Sequence, residues 1–420
     1  MAGPITYTTT LSVKLTTGST VDLSSYLLSY TTDLDAGIFT MGRASASFTM
    51  KNFLNEFTPN GGGTFSTTNW FGSKFMLTFT YDDGTAVTYN IFEGICNDFT
   101  IDTGYKDSKA SFTCVDAFTF SSTTRTDIVG ITTLESISTK IAQVLTNVQF
   151  PTLGGTSAGA FNDVGDKQGT AVNTSGTPTA GGVSDLISTR HLPSSATISW
   201  PTTSAEIFGV LTYRATALFY TPLKQKTARQ GPFYVYGADI TPNASSIPFQ
   251  TLSASYNRAD FATAAQTTDT GGTVTYATNG ASTTTYGTKV ISWPQVFLLT
   301  DGQAYLTSAL VNRYDTLDYV PTALVIKLSQ IKPLLTFTKK EAFFKMIDMG
   351  YGIWERLELK YTPVGTSTTV TSQNVITGRT ISGTPEDMIV TFRTKPWYNW
   401  SAFILDDTVN GILDTCRLGW

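Results

Sequence analysis

Charge, histidine and cysteine are what this chain has least of. Of its 420 residues only 14% are Asp, Glu, Lys or Arg, against roughly 25% in an average soluble domain. With 28 basic and 32 acidic side chains the net charge is −4, which gives no electrostatic grip on nucleic acid or anionic lipid. Such a mildly acidic wall suits DNA that slides past without sticking. His191 is the single histidine, in the loop-like context Ser188-Thr189-Arg190-His191-Leu192-Pro193. Every Ser–His or Cys–His nucleophile would have to run through it. A multi-histidine zinc site is excluded, and a cysteine zinc site lacks its spacing. Cys96, Cys114 and Cys416 are odd in number, form no C-x-x-C, and read as small apolar fillers of a protein folded in a reducing cytosol. No apolar run approaches membrane-spanning length. The start, Met-Ala-Gly-Pro-Ile-Thr-Tyr, has neither the basic region nor the apolar core of a secretion signal.

What is abundant is Thr, Ser, Gly and aromatic residues, within a hydrophobic share of 41%. That mix suits sheets whose outer faces are neutral-polar and covered by neighbours in an assembly. The length allows two or three domains with substantial cores. Phe75 to Phe120 is the organising stretch. Phe75, Leu77, Phe79 and Tyr81 alternate with polar or smaller residues, as a strand with one buried face requires. Asp82-Asp83-Gly84 turns the chain, and Val87, Tyr89 and Ile91 carry the partner strand. After Gly94 a second pair is expected, Phe99 and Ile101 against Ala110, Phe112 and Cys114. This is an antiparallel meander with one wet and one dry face. Runs at Thr9–Leu15, Val21–Tyr26 and Ala44–Met50 extend the same sheet, and Asn60-Gly61-Gly62-Gly63 is a loop.

Four helix starts are marked by a Thr followed three residues later by Glu or Gln: Thr132 with Glu135, Thr203 with Glu206, Thr300 with Gln303, and Thr338 with Glu341. Each pair can form a capping box. Residues 152–200 have little period and read as an irregular excursion. A hairpin is expected between Leu218-Phe219-Tyr220 and Phe233-Tyr234-Val235-Tyr236, around Lys224, Lys226 and Arg229. Strands return at Phe249–Tyr256, Lys289–Trp293, Ala323–Leu328, Leu357–Tyr361, Val370–Ile376 and Met388–Phe392. The expected fold is mainly β with a few short helices: two tube-like antiparallel β-barrel or sandwich domains flanking a mixed middle region. The boundaries are 1–125 for the first β-domain, 126–245 for the helix and hairpin region, 246–400 for the second β-domain and 401–420 for a C-terminal docking segment. A weak internal echo connects the two β-domains. Glu93 to Ile101 with Ala110 to Thr113, and Thr377 to Ser382 with Ile389 to Phe392, share a glycine, a short strand, a polar turn and an alternating return strand. If it reflects duplication, the chain carries two related β-domains.

No candidate chemistry outweighs a structural reading. Asp82 with Asp83, and Asp406 with Asp407, are adjacent carboxylates better explained as turn or capping residues than as a glycosidase couple. The glycine-rich loops lack the Gly-Lys-Ser/Thr ending of a phosphate loop. Trp397, Tyr398 and Trp400, with Phe403, are the most distinctive candidates. They either dock the tail onto their own domain, anchor a protein interface, or bind sugar. Leu405 and Trp420 extend that candidate interface. No catalytic, cofactor-binding or metal-binding residue is assigned, and no enzymatic activity is expected.

In order along the chain, several motifs resemble minor tail proteins of long-tailed bacteriophages, of the baseplate hub or tail-tip kind. They are Asp22-Leu23-Ser24-Ser25-Tyr26, Gly42-Arg43-Ala44 through Asn52 and Phe57-Thr58-Pro59, and Phe92-Glu93-Gly94-Ile95 with Phe112-Thr113-Cys114-Val115-Asp116-Ala117. Tyr286-Gly287-Thr288-Lys289, the helix from Thr300 to Asp315, Met349-Gly350-Tyr351-Gly352, and the ending from Phe403 to Trp420 follow. Residues 152–200 have no counterpart. The resemblance implies a hub that assembles as a trimer, presents six similar domains to a sixfold tail tube, closes it and permits DNA passage. It implies partners such as the distal tail ring, tape measure and tail fibres, DNA only in transit, and no stable membrane binding. Its place would be the distal tail of the virion, assembled in the host cytoplasm. The alternatives are a hexameric distal tail ring protein and a receptor- or glycan-binding tail protein.

Overall fold

The computed structural model describes residues 6–116 except 36–42, 83, 103 and 105–107; 209–214, 217–222, 234–237 and 246–256; and 261–296 except 270–271. Beyond these it describes positions 304, 307, 308, 311, 317, 319–331, 343–349, 353, 355–363 and 365–396. The fold is mainly β, and the described residues form a 14-stranded, a 3-stranded and a 2-stranded sheet.

The N-terminal strands are β1 (Thr6–Lys14), β2 (Thr20–Asp22), β3 (Leu27–Asp35), β4 (Arg43–Lys51), β5 (Lys74–Asp82), β6 (Val87–Asp102) and β7 (Lys109–Val115). β5, β6 and β7 form the expected meander. The break expected at Gly94 is absent, however, and β6 runs 16 residues without interruption. A Cβ at Gly94 would lie 2.5 Å from both the Phe92 ring and the Val115 carbonyl oxygen. Its glycine therefore serves close packing inside a strand. The bend comes three residues later, where the register slips between Cys96 and Asp98, as a β-bulge produces.

The motifs of this half are fasteners. Asp22 accepts hydrogen bonds from the Ser24 backbone N–H and hydroxyl at 2.9 and 2.6 Å, and the Ser24 hydroxyl oxygen accepts from Leu11 N–H. Buried Asn52 accepts from Phe57 N–H and donates to Thr58 and Ser108, closing the β4–β5 connection onto the sheet. Asp116 accepts from Ala44 N–H at 2.7 Å and holds the start of β4. The dry face packs Phe48, Phe57, Trp70, Phe75, Phe92 and Phe112 into one aromatic core.

In the middle of the chain β8 (Gly209–Arg214) and β9 (Ala217–Pro222) pair with each other, while β10 (Tyr234–Gly237) joins the large sheet. The expected hairpin between 218–220 and 233–236 is therefore corrected. A two-residue link at 215–216 lets β9 fold straight back on β8, and hairpin pairing favours that shorter closure. The remaining strands are β11 (Ile247–Pro248), β12 (Thr251–Tyr256), β13 (Ala264–Asp269), β14 (Val274–Thr278), β15 (Val290–Val296), β16 (Tyr319–Lys327), β17 (Arg356–Tyr361), β18 (Val370–Gly383) and β19 (Met388–Pro396). β18 joins the strand expected at Val370–Ile376 and the short strand expected at Thr377–Ser382 into one.

Helix α1 (Gly280–Tyr286) carries no Thr-x-x-Glu signal. Asn279 caps it by accepting from Ala281 and Ser282 N–H, and Gly287 ends it at φ 76°, an Asn–Gly pair of caps that sequence patterning alone could have flagged. Helix α2 (Leu328–Ile331) follows β16. Positions 304, 307, 308 and 311 are helical, as the Thr300 capping box predicts, and 343–347 are helical, in line with the one at Thr338. The starts at Thr132 and Thr203 lie outside the described residues.

Candidate assembly interface

Strand pairing turns the weak echo into a repeat of topology. In the first half the order is β3-β4-β7-β6-β5, every neighbour antiparallel; in the second it is β12-β16-β19-β18-β17, again antiparallel. β4 and β16 are both nine residues long. The β6–β7 pair bulges between Cys96 and Asp98, and the β18–β19 pair between Ile376 and Gly378. The bulge sets the correspondence: Asp98 matches Gly378 and Thr113 matches Arg393. Gly94 and Gly378, which the sequence echo superposed, are therefore not equivalent. Beyond these five strands the two modules differ, since β1 pairs β5 antiparallel but β10 pairs β17 parallel.

The modules are joined edge to edge. The second half of β18 pairs antiparallel with β3, from Gly378 opposite Asp35 to Gly383 opposite Tyr30. A continuous path of eight strands results, β12-β16-β19-β18-β3-β4-β7-β6. Its wet face is written in hydroxyls. One row across the sheet reads Lys327, Ile389, Ser382, Thr31, Ser47, Thr113, Asp98. The next reads Ser29, Thr49, Ser111, Thr100. Charges on this face occur in both signs, with Asp102 and Lys51 either side of Lys109 in one row.

An ion pair clamps the joint on that face. Arg393 Nη1 reaches Asp33 Oδ1 at 2.9 Å and Thr380 Oγ1 at 2.8 Å, and Nη2 donates to the Leu34 carbonyl at 3.0 Å. To do so the guanidinium crosses β18 above Gly378, where a Cβ would stand 2.5 Å from Nε and Nη2. On the dry face the joint holds Arg379, only 1% exposed. Its Nη1 donates to the Met346 and Asp348 carbonyls at 3.2 and 2.8 Å, and its Nη2 to Ile91 O at 3.2 Å. Burial pulls the guanidinium down to about 10, with Asp348 opposing the shift, so it stays charged at neutral pH.

The connection from β16 to β17 completes the interlock by crossing into the first module. Phe344 packs on Tyr7, Phe79, Tyr81 and Tyr89 at centroid distances of 5.1–5.9 Å. The Asp348 carboxylate accepts from Asn90 N–H at 3.0 Å, and Met349 N–H donates back to Asn90 O at 2.6 Å.

The sequence-predicted candidates fare unevenly. Trp397, Tyr398, Trp400, Phe403, Leu405 and Trp420 lie outside the described residues, as do His191, Cys416, Asp406 and Asp407. Asp82 is a turn residue, accepting from Gly84 N–H at 2.9 Å. Cys96 and Cys114 are buried directly opposite each other on β6 and β7. The Cys96 thiol is lowered by its hydrogen bond with Cys114, whose own thiol burial pushes up. Lys74 and Glu93 form a buried ion pair between β5 and β6. Among the described residues no cluster of His, Cys, Asp and Glu could hold a metal ion. The residues that matter most at the joint, Asp33, Gly378, Arg379 and Arg393, carry no local signal. Only their pairing across some 350 positions of sequence exposes them.

No family model matches the chain, and no curated protein matches it in sequence. Solved structures do match. The tail protein of Neisseria meningitidis MC58 gives a TM-score of 0.55 at 10% identity, over 92% of this chain and 97% of that one. The 43 kDa tail protein of prophage MuSo2 from Shewanella oneidensis gives 0.52 at 9% identity, over 92% and 98%. The fold is that of bacteriophage tail proteins.

Proposed function

We propose that this chain is a structural subunit of a bacteriophage tail, the hub or tail-tip component whose ring closes the tail tube and opens for DNA. One observation carries the reading: the same five-strand unit occurs twice in the chain, side by side in one continuous sheet. A ring of three such subunits presents six similar modules, and that is what a threefold object needs to mate with a sixfold cylinder. In this reading 1–125 and 246–400 are the tube-building barrels and 126–245 lies between them. Residues 401–420, Phe403 among them and with Trp397, Tyr398 and Trp400 leading into them, dock to a neighbouring tail protein. The hydroxyl-rich face lines the bore, where rows of neutral Ser and Thr give the DNA backbone little to bind. The role is mechanical, without catalysis.

Subunit counting in purified tails, by mass measurement of the assembled tip, tests the proposal. Three copies are expected. Six would make the protein a distal tail ring instead, and a monodisperse monomer at assembly concentrations, measured by light scattering, would overturn the ring.

A further inference from the structure

We propose that β12 of one copy pairs antiparallel with residues 98–102 of β6 in the next copy, in the register that β3 and β18 use within the chain. The inference rests on the ring reading above and names the surface that closes it. The eight-strand path has two ends, and they are the repeat-mates of its internal joint. β12 is the counterpart of β3 and β6 that of β18, yet among the described residues β12 pairs only with β16, and positions 98–102 only with β7. Among the described residues the chain thus contains one worked example of a β18–β3 seam and both halves of a second, unjoined.

Burial points the same way. At the internal seam Arg379, Ile381 and Tyr30 are buried; their counterparts at the open ends, Phe99, Ile101 and Leu252, are only half-buried. Apolar side chains at these places are covered wherever the neighbouring module is present. β12 also lacks edge protection. Its sequence Thr-Leu-Ser-Ala-Ser-Tyr has no Lys, no Pro and no inward charge, the devices that keep unpaired edges from pairing. A third feature fits the repeat. The β16–β17 connection seats Phe344 on the adjoining module, whereas the matching β4–β5 connection leaves Phe53 60% and Leu54 77% exposed. In the assembled ring these two meet the next copy.

The register follows from the repeat. Counted from the bulge, Asp102 occupies the place of Ser382; followed through the pairs with β4 and β16, Ser253 occupies that of Thr31. Ser382 lies opposite Thr31, so Asp102 is set opposite Ser253 of the next copy. The new seam has no equivalent of the Arg393–Asp33 clamp, because Thr113 stands in the place of Arg393 and Asp98 in that of Gly378.

Directly opposed antiparallel residues have Cα atoms about 4.5–5.5 Å apart, inside the roughly 4.4–6.8 Å span of a disulfide. The test uses the full chain with Cys416→Ser. D102C chains are mixed with S253C chains, oxidised with copper phenanthroline and run on a non-reducing gel. A two-chain band is expected in the mixture and absent from either variant alone. The D102C/S253C double variant is expected to give a ladder ending at three chains. Within one chain the two positions sit seven strand spacings apart, roughly 34 Å along the sheet, so a bond must join different chains. A three-copy assembly without the bond overturns the seam and leaves the hub reading intact. A bonded ladder ending at six overturns the hub and keeps the seam. Chains that neither assemble nor cross-link overturn both.

Discussion

Replacing Arg379 tests whether one buried cation holds the two modules together. Its guanidinium donates to three main-chain carbonyls from two segments, Ile91 on β6 and Met346 and Asp348 in the β16–β17 connection. A buried ionic group is often replaced by an apolar side chain at no cost, since its desolvation penalty disappears with it. Here the acceptors are backbone carbonyls that remain buried after substitution, and each unsatisfied group costs about 1–3 kcal/mol. For Arg379→Ala the lost donors and the cavity together come to about 3–5 kcal/mol. Arg379→Met keeps the volume and sheds the charge, which brings the loss to about 2–3 kcal/mol. Urea unfolding reads the total. Hydrogen exchange reads its location, with faster exchange expected at Asn90, Asp348 and Met349, whose amides lie in the segments that Arg379 ties down. If R379M unfolds at the same urea concentration as the parent, with unchanged exchange at those amides, the tie contributes nothing and the reasoning fails.

Two further outcomes follow from the same geometry. Gly378→Ala forces the Arg393 side chain off its path to Asp33; as that pair is partly solvated, the cost is about 0.5–1 kcal/mol. Asp33→Asn should cost a similar amount, and the double variant no more than the larger single in a thermodynamic cycle. Burial also raises the Tyr30 phenol to about 12. A folded pKa above the unfolded value near 10 gives stability that is complete below pH 10 and lost as pH rises through 12, about 2–3 kcal/mol in all. Urea midpoints between pH 9 and 11.5 should therefore fall less steeply in Tyr30→Phe than in the parent, and equal slopes would contradict the assignment.

The alternation of Phe75, Leu77, Phe79 and Tyr81, or of Ala44, Ala46, Phe48 and Met50, is enough to declare a strand and its dry face. The period of two is a property of each strand alone. The sequence by itself thus determined a mainly β chain and the meander from β5 to β7. It also carried the motifs at Asp22, Asn52 and Asp116, whose partners lie within a turn or a neighbouring strand. Which edges meet was beyond it. The strand expected to end at Ile376 and the short strand expected at Thr377–Ser382 run on as one, β18, and β3, far away in sequence, supplies hydrogen bonds to its second half. Likewise β9 turns to β8 and leaves β10 to β17, and Gly94 lies inside a strand because packing against Phe92 and Val115 requires it. The repeat of five strands, Arg379 in its core and Gly378 beneath Arg393 were decided by tertiary structure. Backbone edges are chemically alike in every strand, and only the packed sheet selects which of them pair.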